Sequence, residues 1–88
     1  MMMKQKKPVV VGLGEILWDL LPDGRRLGGA PANFAYHCHA LGADSFVASA
    51  VGDDEDGAAI FNSLTTLGIE TAYLEKVQGY PTGTVSVD

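Results

Sequence analysis

Gly28-Gly29-Ala30-Pro31-Ala32-Asn33-Phe34-Ala35, followed by Gly42 and Gly52, is the stretch on which the reading of this 88-residue chain turns. Pro31 suits the first turn of a helix, where its missing N–H is no loss. Phe34, Cys38 and Leu41 recur at spacings of four and three, which predicts one apolar stripe along that helix. Gly42 is placed to end it in the left-handed conformation. Before the helix, the paired glycines let bare main chain approach a small polar ligand. Asn33 brings an amide that both donates and accepts, so it can bond a hydroxyl in either sense. A tight strand-to-helix turn with Asn33 as a local cap accounts for the same residues. From these residues alone both readings stand.

On the N-terminal side, Pro8-Val9-Val10-Val11-Gly12-Leu13-Gly14 is a short apolar run rich in β-branched residues, predicting a strand buried on both faces. Residues 1–7 read as a frayed basic tail. Leu17 to Leu21 stays apolar around Trp18 and Asp19. Pro22-Asp23-Gly24 is then a strong turn, and Arg25-Arg26-Leu27 returns as a second short strand. Beyond Gly42, Ser45 to Val51 reads as another core strand. The acidic loop Gly52-Asp53-Asp54-Glu55-Asp56-Gly57 feeds a second helix, with Ile60, Phe61, Leu64 and Leu67 as its buried stripe and Gly68 as its end. Ile69 to Val77 reads as a third strand, and Thr82 to Val87 alternates polar with apolar as a half-exposed strand does. Strands alternating with helices imply an α/β fold with a parallel sheet.

Composition narrows the function classes. A chain of this length holds one small domain with a thin core. The net charge is −5, and three of six basic residues crowd into Lys4, Lys6 and Lys7. No basic face remains for nucleic acid, whose binding needs several phosphate-neutralising side chains, and the carboxylates repel an acidic membrane surface. No stretch approaches the ~20 apolar residues of a membrane span. Glu15 and Asp19 interrupt the first apolar run and no small-residue cleavage site follows, which argues against a secretory signal. The single Cys38 forms no intrachain disulfide, so a reducing, cytoplasmic setting is expected.

Asp19 is an isolated carboxylate among apolar neighbours just beyond the first core strand, and ligands of open α/β sheets bind beyond the carboxyl ends of strands. A carboxylate accepting from two adjacent hydroxyls reads a sugar; a surface aspartate on a strand edge fits the same context. Other constellations carry less. Gly12-Leu13-Gly14 lacks the third glycine of a dinucleotide fingerprint. His37 and His39, two apart on a helix, point to different faces and do not chelate together. Asp53, Asp54, Glu55 and Asp56 lack calcium-loop spacing and are expected to cap the second helix. Cys38 lies on the apolar stripe and is expected to be a buried small hydrophobe.

The glycines and Asn33 resemble the sugar-binding signature of the ribokinase-like (PfkB) carbohydrate kinases, fructokinases above all. The matching positions are Gly28, Gly29, Ala30, Pro31, Asn33, Ala35, Gly42 and Gly52. Gly12-Leu13-Gly14-Glu15 with Asp19, the acidic loop, and Pro81-Thr82-Gly83 also resemble the family's N-terminal region, so the likeness spans about residues 9 to 88. The wording of the turn is nearer to fructokinases than to ribokinases, which usually carry a lysine there.

The resemblance implies an N-terminal fragment, residues 8–88, of a single ribokinase-like domain with a three-layer, parallel-sheet core. A small β-lid would be built from strands at about 17–27 and 82–88. It implies ATP-dependent phosphoryl transfer to a sugar hydroxyl, with Asp19, Gly28, Gly29 and Asn33 holding the sugar and the lid pairing two subunits. It also implies ATP and Mg²⁺ for the complete enzyme. The catalytic aspartate and anion hole of the family lie in a Gly-Ala-Gly-Asp segment near the far end of the chain. Ala50-Val51-Gly52-Asp53 does not serve, because Gly52 already belongs to the sugar signature. No catalytic, nucleotide or metal residue is therefore expected here, and the fragment alone is expected to be inactive. Two rival readings are a non-catalytic binding or dimerisation module acting through the lid strands and a nucleotide-binding α/β domain.

Overall fold

The computed structural model describes residues 7–86. The expected basic tail falls outside these residues except for the exposed Lys7, and so do the last two residues of the expected final strand. The described residues form six strands and two helices in the order β1 (Val9–Leu13), β2 (Leu17–Leu21), β3 (Gly24–Gly28), α1 (Ala30–Ala40), β4 (Asp44–Gly52), α2 (Glu55–Thr66), β5 (Leu74–Val77) and β6 (Gly83–Ser86).

The strands divide into two sheets. In the first, β4 lies between β1 and β5 and pairs with both in parallel, as the alternation of strand and helix predicts. In the second, β2 lies at the centre, antiparallel to β3 and parallel to β6. The β2–β3 hairpin turns on Pro22 and Asp23, which sets Leu21 opposite Gly24 and hence Asp19 opposite Arg26 and Leu17 opposite Gly28. Asp19 also pairs in register with Val85 of β6.

Both helices cover the same face of the parallel sheet. Two right-handed crossovers that step in one direction across a sheet leave their helices on one side, and the contacts agree. Pro31 of α1 lies over Gly12 of β1, and Lys76 of β5 reaches over the ring of Phe61 on α2. Gly12 and Lys76 share a face through their partners Val47 and Val51. The core gathers there, with Val47, Val51, Ile60 and Leu64 fully buried and Ile16, Ala35, Ile69 and Leu74 beside them.

The opposite face is bare among the described residues. β1, expected to be buried on both sides, exposes Val9, Val11 and Leu13 by 64, 46 and 82%. Alternation puts these three on the uncovered side and Val10 and Gly12 on the covered one. Burying such a side chain contributes roughly 1.5–3 kcal/mol, so the sheet leaves substantial stabilisation unrealised on this side.

Helix α1 also corrects an expectation. Its buried residues are Pro31, Ala32 and Ala35, whereas Phe34 is 50% and Leu41 89% exposed and Cys38 is half-buried. Small side chains bring the helix down onto β1 and β4, which turns the larger stripe away from the sheet. Helix α2 fits its expected stripe through Ile60, Leu64 and the half-buried Phe61, while Leu67 is partly exposed. Asp54 caps it, accepting from the Gly57 N–H. Gly42 and Gly68 follow the two helices with φ of 98° and 80°, as expected of C-terminal glycines. The third strand is shorter than Ile69–Val77. Glu70 makes only an isolated bridge to Phe46, and a turn closed by Leu74 N–H to Thr71 C=O delays β5 until Leu74.

Candidate functional site

Asp19 stands in the middle of β2, half-buried, between the strands that carry Arg26 and Val85. Successive residues of a strand point to opposite faces. Trp18 is buried toward α2, so Asp19 faces the other way. Its carboxylate lies directly against the Cα of Gly28: a Cβ added there would overlap Oδ2 and stand 2.8 Å from Cγ. Only a residue without a side chain leaves the carboxylate its place.

Gly29 follows as the N-cap of α1, at φ 104° and ψ 140°. This conformation favours glycine. A Cβ here would overlap the carbonyl oxygen of Glu15, so the corner is also packed against the segment that joins β1 to β2. The Asn33 N–H donates to the Gly29 carbonyl at 3.2 Å. Asn33 does not cap the helix: the cap is Gly29, and no side-chain cap hydrogen bond is formed. Its side chain is exposed in the first turns of α1. The structure thus brings the Asp19 carboxylate onto Gly28, while its neighbour Gly29 accepts the first main-chain hydrogen bond of α1 from the Asn33 N–H. A carboxylate resting on bare main chain can accept hydrogen bonds from the hydroxyls of a small polyol.

Glu15 is the residue that sequence reading passed over. Its carbonyl backs Gly29, and its carboxylate oxygen Oε1 lies 2.7 Å from where a Cβ of Gly83 would be. Its signal was only its place in Gly12-Leu13-Gly14-Glu15. Among the described residues no three His, Cys, Asp or Glu side chains are grouped to hold a metal ion. Nor is any described helix long and apolar enough to cross a membrane.

The Asp54 carboxyl is held by three donors. The Thr82 hydroxyl, then the Thr82 N–H, then the Gly57 N–H hold the Asp54 carboxyl below its ordinary range, each by donating to the charged form. A pKa depressed by folding adds stability above the unfolded-state value, and this is lost as pH falls through the folded one. Melting temperature is therefore expected to fall as pH drops below about 4, the usual aspartate range. In Thr82→Val that acid-side loss is expected to be smaller. Identical pH profiles for the two proteins would contradict the assignment.

The chain is similar in sequence and in fold to known proteins. The profile of the family described as pfkB family carbohydrate kinase matches residues 23–87. A fructokinase from Escherichia coli is 44% identical over 86% of this chain, and one from Klebsiella pneumoniae is 41% identical over the same share. The chain spans about a quarter (26%) of the length of either. Among solved structures, the apo fructokinase of Vibrio cholerae O395 superposes with a TM-score of 0.87 at 32% identity, over 94% of this chain and 30% of its own. The same fructokinase in its fructose, ADP and calcium ion bound form gives 0.85 at 32% identity, over 92% of this chain and 28% of its own.

Proposed function

The chain belongs to the pfkB family of carbohydrate kinases, and from that premise we propose that the whole protein transfers phosphate from ATP to a hydroxyl of fructose or a similar ketose. Residues 7–86 supply part of the sugar side. The observation that carries this reading is the corner itself, where the Asp19 carboxylate rests on Gly28 just before the glycine that opens α1. In the proposed role Asp19 accepts from two neighbouring sugar hydroxyls, the Gly28–Gly29 main chain admits the ring closely, and the Asn33 amide orients a further hydroxyl.

The second sheet acts as a lid over this corner. Excluding water strengthens the polar contacts and keeps phosphate from being lost to hydrolysis. ATP supplies the phosphoryl group and Mg²⁺ neutralises its charge. Both are proposed to be held by parts of the whole protein outside residues 7–86. The 88-residue chain by itself is proposed to be inactive, and its setting the cytoplasm.

The whole protein is expected to show ATP-dependent phosphorylation of fructose in a coupled assay, faster than that of aldoses. ADP release that does not depend on sugar would contradict the reading.

One observation favours an association role for the same sheet. Its outer strands, β3 and β6, each have one edge unpaired among the described residues, and Leu20 and Val85 are partly exposed on it. Unpaired edges recruit strands of another chain, and we include a homodimer through them in the proposal. Sedimentation velocity is expected to show a dimer with or without sugar; a monomer at all concentrations would remove this part.

A further inference from the structure

We propose that the first turn of α2 is the positioning element of the second sheet: Asp54 holds the root of β6 and Asp56 holds the β2–β3 hairpin, so that together they set where Asp19 stands over the Gly28–Gly29 corner, an assignment that rests on the sugar-kinase reading for what the corner binds but not for the anchoring.

The acidic stretch Gly52–Gly57 caps a helix, yet its contacts reach much further. Both oxygens of Asp54 are engaged by the segment that opens β6. The Thr82 hydroxyl donates to Oδ1 at 2.6 Å and the Thr82 N–H to Oδ2 at 3.1 Å, while Gly57 N–H donates to Oδ1 at 2.7 Å. The same hydroxyl accepts from the Gly52 N–H at 2.9 Å, so Thr82 is buried with both its donor and acceptor used. The segment nests here only because the backbone beneath it is bare. A Cβ at Gly52 would overlap the Tyr80 carbonyl, and one at Gly57 the Gly52 carbonyl. β6 starts at the next residue and runs beside β2 from Leu17–Gly83 to Leu20–Ser86, with Val85 opposite Asp19. Moving Thr82 therefore moves the strand that flanks Asp19.

Two residues further on, Asp56 takes hold of the hairpin. The Trp18 indole N–H donates to the Asp56 carbonyl at 3.0 Å, and Arg25 Nη1 meets Asp56 Oδ1 at 2.7 Å. The Arg25 guanidinium also covers the Trp18 ring, 4.2 Å from its centre. Trp18 adjoins Asp19 in the chain, so fixing the indole on one face fixes the carboxylate on the other. The turn is a firm base for both anchors, because Ile60 and Leu64 root α2 in the main core with no exposed surface. Asp54 and Asp56 touch different strands of one sheet, and neither belongs to the corner they position.

The test uses the full-length protein in five forms: wild type, Thr82→Val, Thr82→Ser, Arg25→Gln and Asp53→Asn. Valine keeps the shape of Thr82 without its hydroxyl, and serine restores the hydroxyl. Asp53 is the acidic neighbour whose carboxylate takes part in none of these contacts. Thr82→Val is expected to raise the fructose KM at least about 10-fold, with the ATP KM within about twofold of wild type, and Thr82→Ser to reverse the change. Arg25→Gln is expected to speed hydrogen exchange of the Trp18 indole N–H at least about 10-fold. Asp53→Asn is expected to match wild type in both readouts.

A folded Thr82→Val with unchanged fructose KM would overturn the proposal. So would unchanged indole exchange in Arg25→Gln, or an Asp53→Asn that behaves like Thr82→Val. Should the wild type show no sugar-dependent turnover, the kinase reading fails and the indole measurement alone decides the anchoring.

Discussion

Replacing Asp19 by alanine is expected to lower kcat/KM for the sugar by at least about 10-fold in the whole protein, while leaving the KM for ATP unchanged. A hydrogen bond to a charged group contributes about 1.5–3 kcal/mol, and 1.36 kcal/mol is a factor of ten in rate. Two hydroxyls bonded to one carboxylate make a loss nearer 100-fold the expected value. Stability is expected to change little. Asp19 is half-buried, its side chain lies on the face turned away from α2, and the anchors of its strand run through Trp18. Unaltered steady-state kinetics in a well-folded Asp19→Ala protein would exclude this residue from the site.

Gly28→Ala is expected to cost as much, without removing any polar group. The added Cβ collides with the Asp19 carboxylate, which is the far end of a short side chain and can rotate away. Folding is then barely disturbed while the sugar contact is displaced. The neighbouring position behaves otherwise. At Gly29 the collision is with the main-chain carbonyl of Glu15, and φ is 104°. Alanine there strains the backbone, a cost on the order of 1–3 kcal/mol in stability. Because Gly28→Ala acts through Asp19, adding it to Asp19→Ala is expected to have almost no further effect on kcat/KM. Additive losses would mean that the two residues serve the site independently. A melting temperature that falls steeply in Gly28→Ala alone would mean that the glycine serves packing instead.

The order of strands and helices was legible because its signals are local. Pro31 and Gly42 bracket α1, Asp54 and Gly68 bracket α2, and the turn at Pro22 and Asp23 makes a hairpin. The α1 stripe was misread because spacing alone cannot separate Phe34, Cys38 and Leu41 from Ala32 and Ala35, one residue round the helix. Large apolar residues drew the reading, whereas close approach to the sheet selected small ones. The two-sided burial of β1 failed for another reason. A continuous apolar run fits a strand covered on both faces, but the two helices among the described residues fall on one side.

The candidate site was legible only in its residue types. Asp19, Gly28, Gly29 and Asn33 could be chosen by residue type and by likeness to the family. The contact between Asp19 and Gly28 depends on hairpin register, which the two-residue turn at Pro22 and Asp23 fixes and which residue type alone does not show. Asp54 with Thr82, and Asp56 with Trp18 and Arg25, join residues 28 to 38 positions apart. No local pattern announces such pairs, and the acidic loop showed only its capping role.

The most direct measurement is a crystal structure of the whole protein with fructose bound. Sugar hydroxyls are expected within roughly 2.6–3.2 Å of both the Asp19 carboxylate and the Asn33 amide, with the ring lying on the Gly28–Gly29 main chain. A ketose bound elsewhere, with Asp19 and Asn33 facing solvent apart from each other, would contradict the account.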